Sequence, residues 1–338
     1  MQEMRLNGPM RGLELKPLLA TAVLALLAST GGDHARAQSG TAYAPGRSVN
    51  PDTATILRGR ITPPSEETIA AYRQAGAVNA RAHRLTEREW ALVERAIADL
   101  PPLHRQILER RLDRLSFIDA PSSTGTALTR AYDGPDGKSL FEITLRADVF
   151  DRTLSEFLTR KEAALFTEDD SGYSVHVLAG ATPALSYLLL HEATHVVDHD
   201  LGISTDIRPF GALWTGYRDL AETYAAGPMG TSVYRRGPPV PMSQSPALYR
   251  ALAASPFVSL YATATAGEDL AELSAWSTLS TRFGVLLTIE VRDAAGRPVV
   301  IVEPLASRAV QDRFATLEAL LARVGSEPDR RFVGQPRE

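Results

Sequence analysis

The segment His191-Glu192-Ala193-Thr194-His195 contains two imidazoles and a carboxylate at a spacing that suits metal-assisted hydrolysis. On a helix, residues four positions apart lie on one face about 6 Å from each other, so both rings can reach one divalent ion. Zinc binds imidazole nitrogens at about 2.0–2.1 Å, and the carboxylate beside the first histidine can act on a water molecule at that ion. The segment therefore predicts a zinc site with His191 and His195 as ligands and Glu192 as general base.

The residues around this segment predict a buried helix. Leucines occupy positions 188–190, Val196 and Val197 follow the second histidine, and neither proline nor glycine occurs between Ser186 and Leu201. Such a run favours a helix whose apolar side chains are in the core. The alternative is a solvated helix that carries two histidines by chance, and these apolar flanks argue against it.

A catalytic zinc site needs a third protein ligand and leaves one position open for water. His199 lies two turns from His191, roughly 12 Å along the axis, which is too far to share one ion. Asp198 shares the face of His191 and could hydrogen-bond within the site, but three ligands from one helix would strain a tetrahedron. Glu268 is the expected ligand, because Glu268 and Glu272 share one face of a later amphipathic helix. One carboxylate can bind zinc while the other receives a histidine N–H; the alternative is an ordinary solvated helix edge.

An HExxH segment at 191–195, followed on a later helix by Glu268 and by Glu272 four positions on, resembles the pattern of the gluzincins. Among them, the chain is most similar to the catalytic-domain family of anthrax lethal factor. That family has a tyrosine seven residues before the liganding glutamate and an aspartate three residues after the second histidine, and Tyr261 and Asp198 occupy these positions. The resemblance is confined to two short windows of the chain. It implies an α+β, zincin-like fold in which the active-site helix packs on a small mixed sheet. It also implies His191, His195 and Glu268 as zinc ligands and Tyr261 as the donor that stabilises the oxyanion. A tyrosine of the core or of an interface is the alternative for Tyr261.

The beginning of the chain carries the pattern of a secretory signal peptide. Basic residues precede an apolar run over residues 18–28, and Ala35-Arg36-Ala37 supplies a small-x-small cleavage pattern. The run is shorter than the about 20 residues that span a bilayer, and an uncleaved anchor is the alternative. The pattern predicts cleavage near Ala37 and a periplasmic or secreted protein without stable membrane insertion.

Composition agrees with an exported hydrolase. The chain has no cysteine, which excludes disulfides and thiolate ligands, and its formal net charge of −4 gives no basis for binding nucleic acid. A protein or peptide is the expected substrate, and the composition does not predict an oligomeric state. After the signal peptide (1–37) we expect a polar linker over 38–64, an N-terminal part of helices and sheet over 65–165, and the zinc-binding catalytic part over 166–330.

Sequence periodicity predicts the elements that must position the site. Thr86 and Glu89 form a capping box at the start of one helix, and isolated histidines such as His104 are expected to be structural. The connection over 202–266 is too long for a turn and is expected to shape the substrate cleft. Its Arg235-Arg236 pair could hold an acidic substrate group, although solvated surface is the simpler interpretation. Further predicted elements are a helix over 103–112, strands over 141–145 and 173–178, a hairpin over 287–302, and a last helix over 310–321.

The predicted function is that of an exported zinc metallopeptidase. Two alternatives use the same residues in other ways. One is a catalytically silent zinc-binding module of the cell envelope, against which the intact Glu192 argues. The other is a zinc amidase that cuts amide bonds of the cell wall.

Overall fold

A computed structural model describes residues 51–135, 137–205 and 212–326 of the chain. The predicted signal peptide and its cleavage site near Ala37 lie outside these residues. The described part combines helices with small sheets, which confirms the predicted α+β class at that level. None of the described helices is both long enough and apolar enough to cross a bilayer.

The described α-helices are named in chain order. They are α1 (Pro51–Gly59), α2 (Glu66–Gln74), α3 (Glu87–Asp99), α4 (Pro102–Arg111), α5 (Leu154–Ala163), α6 (Ala184–Leu201), α7 (Glu222–Ala225), α8 (Ser245–Ala253), α9 (Ala266–Phe283) and α10 (Arg308–Ser326). The histidine motif lies on α6 and the paired glutamates lie on α9, and these two helices pack against each other.

The strands form three small sheets. They are β1 (Arg81–Ala82), β2 (Leu112–Asp119), β3 (Ala127–Asp133), β4 (Ser139–Arg146), β5 (Phe166–Thr167), β6 (Ser174–Leu178), β7 (Val240–Pro241), β8 (Thr288–Arg292) and β9 (Pro298–Val302). The largest sheet has the order β1-β2-β4-β3, with β2 and β4 parallel and the two outer strands antiparallel to their neighbours. The order β6-β8-β9 makes an antiparallel sheet, and β5 pairs in parallel with β7.

Helix α6 packs on the mixed sheet because both present apolar side chains. Phe141, Ile143 and Leu145 of β4 are buried in the same core as Ala193 and Val197 of α6. The side chains on one face of β4, two residues apart, thus pack in one layer with those on one face of α6. The sheet meets this helix along its outer strand β3, so β3 lies beside the histidine motif.

The other face of this sheet is polar and is covered by residues 61–80. Glu142 of β4 is buried there, and its carboxylate accepts hydrogen bonds from the backbone N–H of Ser65 at 2.8 Å and from the Ser65 hydroxyl at 2.6 Å. Arg130 of β3 donates to Thr68 at 3.0 Å. Tyr72 of α2 is buried in a small second core cluster beside this layer. The first helices of the described chain are therefore part of the packed fold.

One expectation about organisation is corrected. The predicted linker over 38–64 is wrong for residues 51–59, which form α1, because Leu57 is buried in the main core. The parts predicted over 65–165 and 166–330 share one cluster of buried side chains, which extends from Leu57 to Val324. Within residues 55–59, whose side chains the structure describes, Leu57 is the buried one, and the polar composition around it concealed the helix.

The other element predictions are confirmed, with ends shifted by a few residues. They include the capping box at Thr86, the strands β4 and β6, the hairpin of β8 and β9, and the helices α4 and α10. Helix α8 in the long connection was not predicted. Its nine residues include a proline in the first turn and lie in a segment rich in proline and glycine.

Candidate metal centre

Helix α6 holds the two histidines on one face. It begins after Pro183, runs without proline or glycine, and ends at Gly202, whose φ of 70° gives the left-handed conformation that glycine adopts without strain. Most of its side chains are buried, as the sequence predicted. His191 and His195 are one turn apart, and their rings lie edge to face with centroids 4.9 Å apart.

The start of α9 brings the acidic ligand to the same place. The Thr265 hydroxyl caps the helix by accepting a hydrogen bond from the backbone N–H of Glu268 at 3.1 Å, which fixes Glu268 in the first turn. Gly267 allows Tyr217 to pack closely here, because a Cβ at this position would lie 2.6 Å from the Tyr217 hydroxyl oxygen. The cap and the glycine together set the position at which Glu268 faces α6.

Three side-chain atoms converge at the interface of α6 and α9. Oε2 of Glu268 lies 3.0 Å from Nε2 of His191 and 3.5 Å from Nε2 of His195, and the two Nε2 atoms are 3.2 Å apart. His191 and Glu268 are buried, and His195 is slightly more accessible. Among the described residues, this is the one group of histidine and acidic side chains arranged so that it could hold a metal ion.

Glu272 occupies the position expected of a supporting carboxylate. Its Oε1 lies 3.0 Å from Nδ1 of His191, on the side of the ring away from Glu268. The Tyr187 hydroxyl donates to the same Oε1, and the Ser259 hydroxyl donates to Oε2 at 2.7 Å. These donors hold the Glu272 carboxylate next to Nδ1 of His191, at a distance from which it can orient a liganding imidazole.

The charges of the cluster favour ionised carboxylates and a strongly basic imidazole. Burial acts to lower the pKa of His191, but hydrogen bonds and charges of Glu268 and Glu272 outweigh it and raise that pKa to about 10. Burial acts to raise the pKa of Glu268, but the two histidines outweigh it and hold this pKa well below its usual value. Two carboxylates around two imidazoles create a site that attracts a cation.

Glu192, the expected general base, is held by the neighbouring sheet. The Thr129 hydroxyl of strand β3 donates a hydrogen bond to Oε2 of Glu192 at 2.6 Å, and Glu192 is buried. The other carboxylate oxygen is not engaged by this bond. Thr129 therefore restrains a carboxylate that interacts electrostatically with His195 and Tyr261.

Tyr261 lies against the same cluster. Its ring stacks on that of His191 with centroids 5.6 Å apart and an interplanar angle of 22°. Burial first, and then the charges of Glu268 and Glu192, raise the pKa of Tyr261 well above 10. The phenol therefore carries its proton at neutral pH and can donate a hydrogen bond into the site.

Asp198 and Arg235, two further residues considered from the sequence, form hydrogen bonds to neighbouring segments of the chain. Asp198 is buried near the end of α6, but its carboxylate accepts from the backbone N–H and hydroxyl of Ser204, at 2.6 and 2.5 Å, and so secures the chain after the helix. Arg235 donates to the backbone oxygens of Thr263 and Ala264, at 3.2 and 2.7 Å, beside Tyr261. Arg235 thus ties the long connection to the site. Arg236 is exposed.

Two groups of buried hydrogen bonds connect α6 and α9, the helices of the candidate metal centre, to other helices. Nε2 of His104 on α4 lies 3.0 Å from the Thr194 hydroxyl of α6 and 3.4 Å from the Ser274 hydroxyl of α9. Asp269, next to Glu268, accepts from Trp214 at 2.9 Å and from Arg313 at 2.6 Å. His104 thus joins α4 to both α6 and α9, and the contact of Arg313 with Asp269 joins α10 to the start of α9.

Sequence reasoning missed several residues of this site. Tyr187 could have been found, because it lies one turn before His191 on the same helix. Thr129 and Ser259 carry no local pattern that distinguishes them from other surface or loop hydroxyls. Comparison with protein families, curated proteins and solved structures finds no match to this chain. The function is therefore inferred from the site itself.

Proposed function

We propose that the protein is an exported zinc metallopeptidase of the zincin type. The observation that carries this proposal is the spacing of the three converging atoms, 3.0, 3.2 and 3.5 Å. A tetrahedral zinc ion with bonds of about 2.0–2.1 Å has ligand atoms separated by about 3.3–3.4 Å, so these atoms fit three corners of one tetrahedron. The signal-peptide pattern at the chain start supports export.

The donor set also suits zinc rather than a harder ion. Two imidazole nitrogens and one carboxylate oxygen are ligands that zinc accepts, whereas magnesium and calcium prefer oxygen alone. His191, His195 and Glu268 would hold the ion. Glu272 would keep the His191 ring oriented through Nδ1, which lies 3.0 Å from it.

The chain's own residues supply the acid and base chemistry around that ion. A bound zinc ion contributes Lewis acidity toward water and toward a substrate carbonyl. Glu192, oriented by Thr129, accepts the proton of the attacking water and afterwards passes it to the departing amine. Tyr261, protonated at neutral pH, donates a hydrogen bond to the carbonyl oxygen as negative charge develops there.

Strand β3 offers a place for an extended substrate. It is the outer strand of its sheet, and within the described residues its second edge has no partner strand. Because Thr129 of β3 contacts Glu192, this edge runs beside the base. A peptide that adds to β3 by backbone hydrogen bonds would therefore lie across the site.

The test combines metal content with product analysis. The purified protein is expected to bind one zinc ion, and to cleave casein in a way that a chelator abolishes and added zinc restores. Glu192→Gln should retain zinc and lose turnover, while Glu268→Ala should lose zinc affinity. Near-normal peptidase activity of Glu192→Gln would refute the role of the base, and unchanged zinc affinity of Glu268→Ala would refute the ligand set.

Purified cell wall serves as the second substrate. Release of peptides from cell wall without casein cleavage would replace the peptidase proposal with an amidase. Cleavage of neither substrate, with one zinc ion bound, would favour the silent binding module. Casein cleavage alone is the result that the proposal predicts.

A further inference from the structure

Lys161, in the last turn of α5, lies beside Tyr261 in an aromatic enclosure. Its ammonium nitrogen is 3.6 Å from the ring centroid of Tyr261 and 5.9 Å from the centroids of Tyr187 and Tyr234. The faces of aromatic rings attract a cation, so these three rings hold the charge of Lys161 at this place. Lys161 is therefore a fixed positive charge one ring away from the metal cluster.

Three of the donors at this enclosure lack acceptors. Among the described residues, Lys161 forms neither an ion pair nor a hydrogen bond, although an ammonium carries three N–H donors. The hydroxyl of Tyr234 and the indole N–H of Trp276 are buried and also have no hydrogen-bond partner there. Lys161, Trp276 and Tyr261 line one cavity. Unsatisfied donors around a positive charge are what a site for an anionic oxygen group presents.

The two acids that line the same cavity already have donors of their own. Glu272 accepts from Tyr187 and Ser259, and Glu162 accepts from the Tyr249 hydroxyl at 2.5 Å. Burial raises the pKa of Glu162 to about 7, so its negative charge is only partly present at neutral pH. These acids moderate the charge of Lys161 from a distance, but neither one occupies its hydrogen-bond donors.

The arginine pair of the long connection does not provide an alternative anion site in the cleft. The Arg235 guanidinium is used by the backbone oxygens of Arg218, Thr263 and Ala264. Arg236 is exposed on the surface. The positive charge next to Tyr261 is that of Lys161.

We propose that Lys161 binds a carboxylate of the substrate, carried by the residue next to the scissile bond. This inference rests on the proposed function and adds the substrate class. Successive Cα atoms are about 3.8 Å apart, so a group on a flanking residue lies within reach of a cation that sits over the Tyr261 ring. The carboxylate can come from an acidic side chain or from a free C-terminus, and both would receive charge-assisted hydrogen bonds.

Small hydroxamates test the subsite without requiring turnover. Acetohydroxamate reports anchoring on the zinc-loaded protein, and the monohydroxamates of succinic and glutaric acid add a carboxylate on a flexible arm. Their carboxamide analogues have the same shape without the charge. Isothermal titration calorimetry should show that one carboxylate compound binds about tenfold or more tightly than its carboxamide analogue, as a charge-assisted hydrogen bond predicts.

Variants assign that preference to one side chain. Lys161→Met should abolish it and Lys161→Arg should retain it. Arg160→Met is the matched control, because it removes the same charge from an exposed neighbour on α5 and should leave the preference unchanged. Equal binding of carboxylates and carboxamides by the natural protein, or a preference that survives in Lys161→Met, overturns the inference.

The two proposals fail in different ways. If acetohydroxamate does not bind the zinc-loaded protein, the proposed metal site fails, and the carboxylate subsite fails with it. If acetohydroxamate binds and the carboxylate arm adds nothing, only the subsite fails. Peptide pairs with Glu or Gln beside the cleaved bond, each with a free or amidated C-terminus, then show by kcat/KM which carboxylate is used.

Discussion

Protonation of His104 in mild acid should destabilise the packing of α4 against α6 and α9. Its ring lies among α4, α6 and α9 and contacts the hydroxyls of Thr194 and Ser274. Because Thr194 donates its own proton to the Leu190 oxygen at 2.7 Å, Nε2 of His104 must be the donor in that contact. Nδ1 of His104 is buried without a partner, so a second proton on the ring has no acceptor.

The size of the effect follows from the pKa of this ring. Burial lowers the pKa of His104 from 6.5 to about 4. The unfolded chain therefore binds this proton more readily, so the stability contributed by the neutral ring is complete above about pH 6.5 and is lost as the pH falls toward 4. The difference corresponds to about 3 kcal/mol, of which about 2 kcal/mol is lost by pH 5.

Urea unfolding of the chelator-treated protein at pH 8 and pH 5 measures this loss. The free energy of unfolding should decrease from pH 8 to pH 5 in both proteins. In His104→Gln this decrease should be about 2 kcal/mol smaller than in the natural protein. The comparison uses the change with pH, so a uniform destabilisation by the substitution does not affect it. An equal change in both proteins would refute the assignment of this acid sensitivity to His104.

Three further substitutions test the contacts around the site. Thr129→Val should lower kcat about tenfold or more at unchanged zinc content, because it removes the hydrogen bond to Glu192, the proposed general base. Thr129→Ser should restore activity, and equal kcat in the two variants would contradict this role of Thr129. Glu272→Gln should weaken zinc binding about 10- to 100-fold in a chelator competition, and an unchanged affinity would show that the supporting carboxylate is dispensable. Arg313→Met leaves buried Asp269 without its cation and should lower the free energy of unfolding by about 3–5 kcal/mol. The control Arg308→Met removes an exposed ion pair and should change this free energy by less than about 1 kcal/mol. Similar urea midpoints for the two variants would contradict the importance of the contact between Arg313 and Asp269.

The sequence was most informative where one helix carries several residues of the site. His191, Glu192 and His195 are related by helical spacing alone, and the same rule relates Glu268 to Glu272. His191 and Glu268 are 77 residues apart in the chain. That the two histidines contact the two glutamates could be inferred only because imidazole and carboxylate groups are complementary ligands of one metal ion. The structure brings the four side chains together as that reasoning expected.

Contacts that depend on the sheet could not be inferred in this way. Thr129 reaches Glu192 because β3 is the outer strand beside α6, and strand order is not encoded in the alternation of a single strand. Lys161 of α5 lies over the ring of Tyr261 in the turn at 261–263, and no periodic pattern of the sequence relates these two residues. Helix α1 was missed because one buried side chain, Leu57, outweighs a polar composition.

The cover over the polar face of the mixed sheet limits where the chain can be shortened without loss of structure. Backbone hydrogen bonds join Arg60 and Thr62 to Leu115 of β2, at 2.9 and 3.2 Å, and Ser65 seals Glu142 from solvent. Removal of residues from the beginning of the chain should leave this cover intact only if it stops before α1, whose Leu57 is buried in the main core. Loss of residues beyond that point would expose Glu142, Arg130 and their hydroxyl partners on the sheet that also carries Thr129.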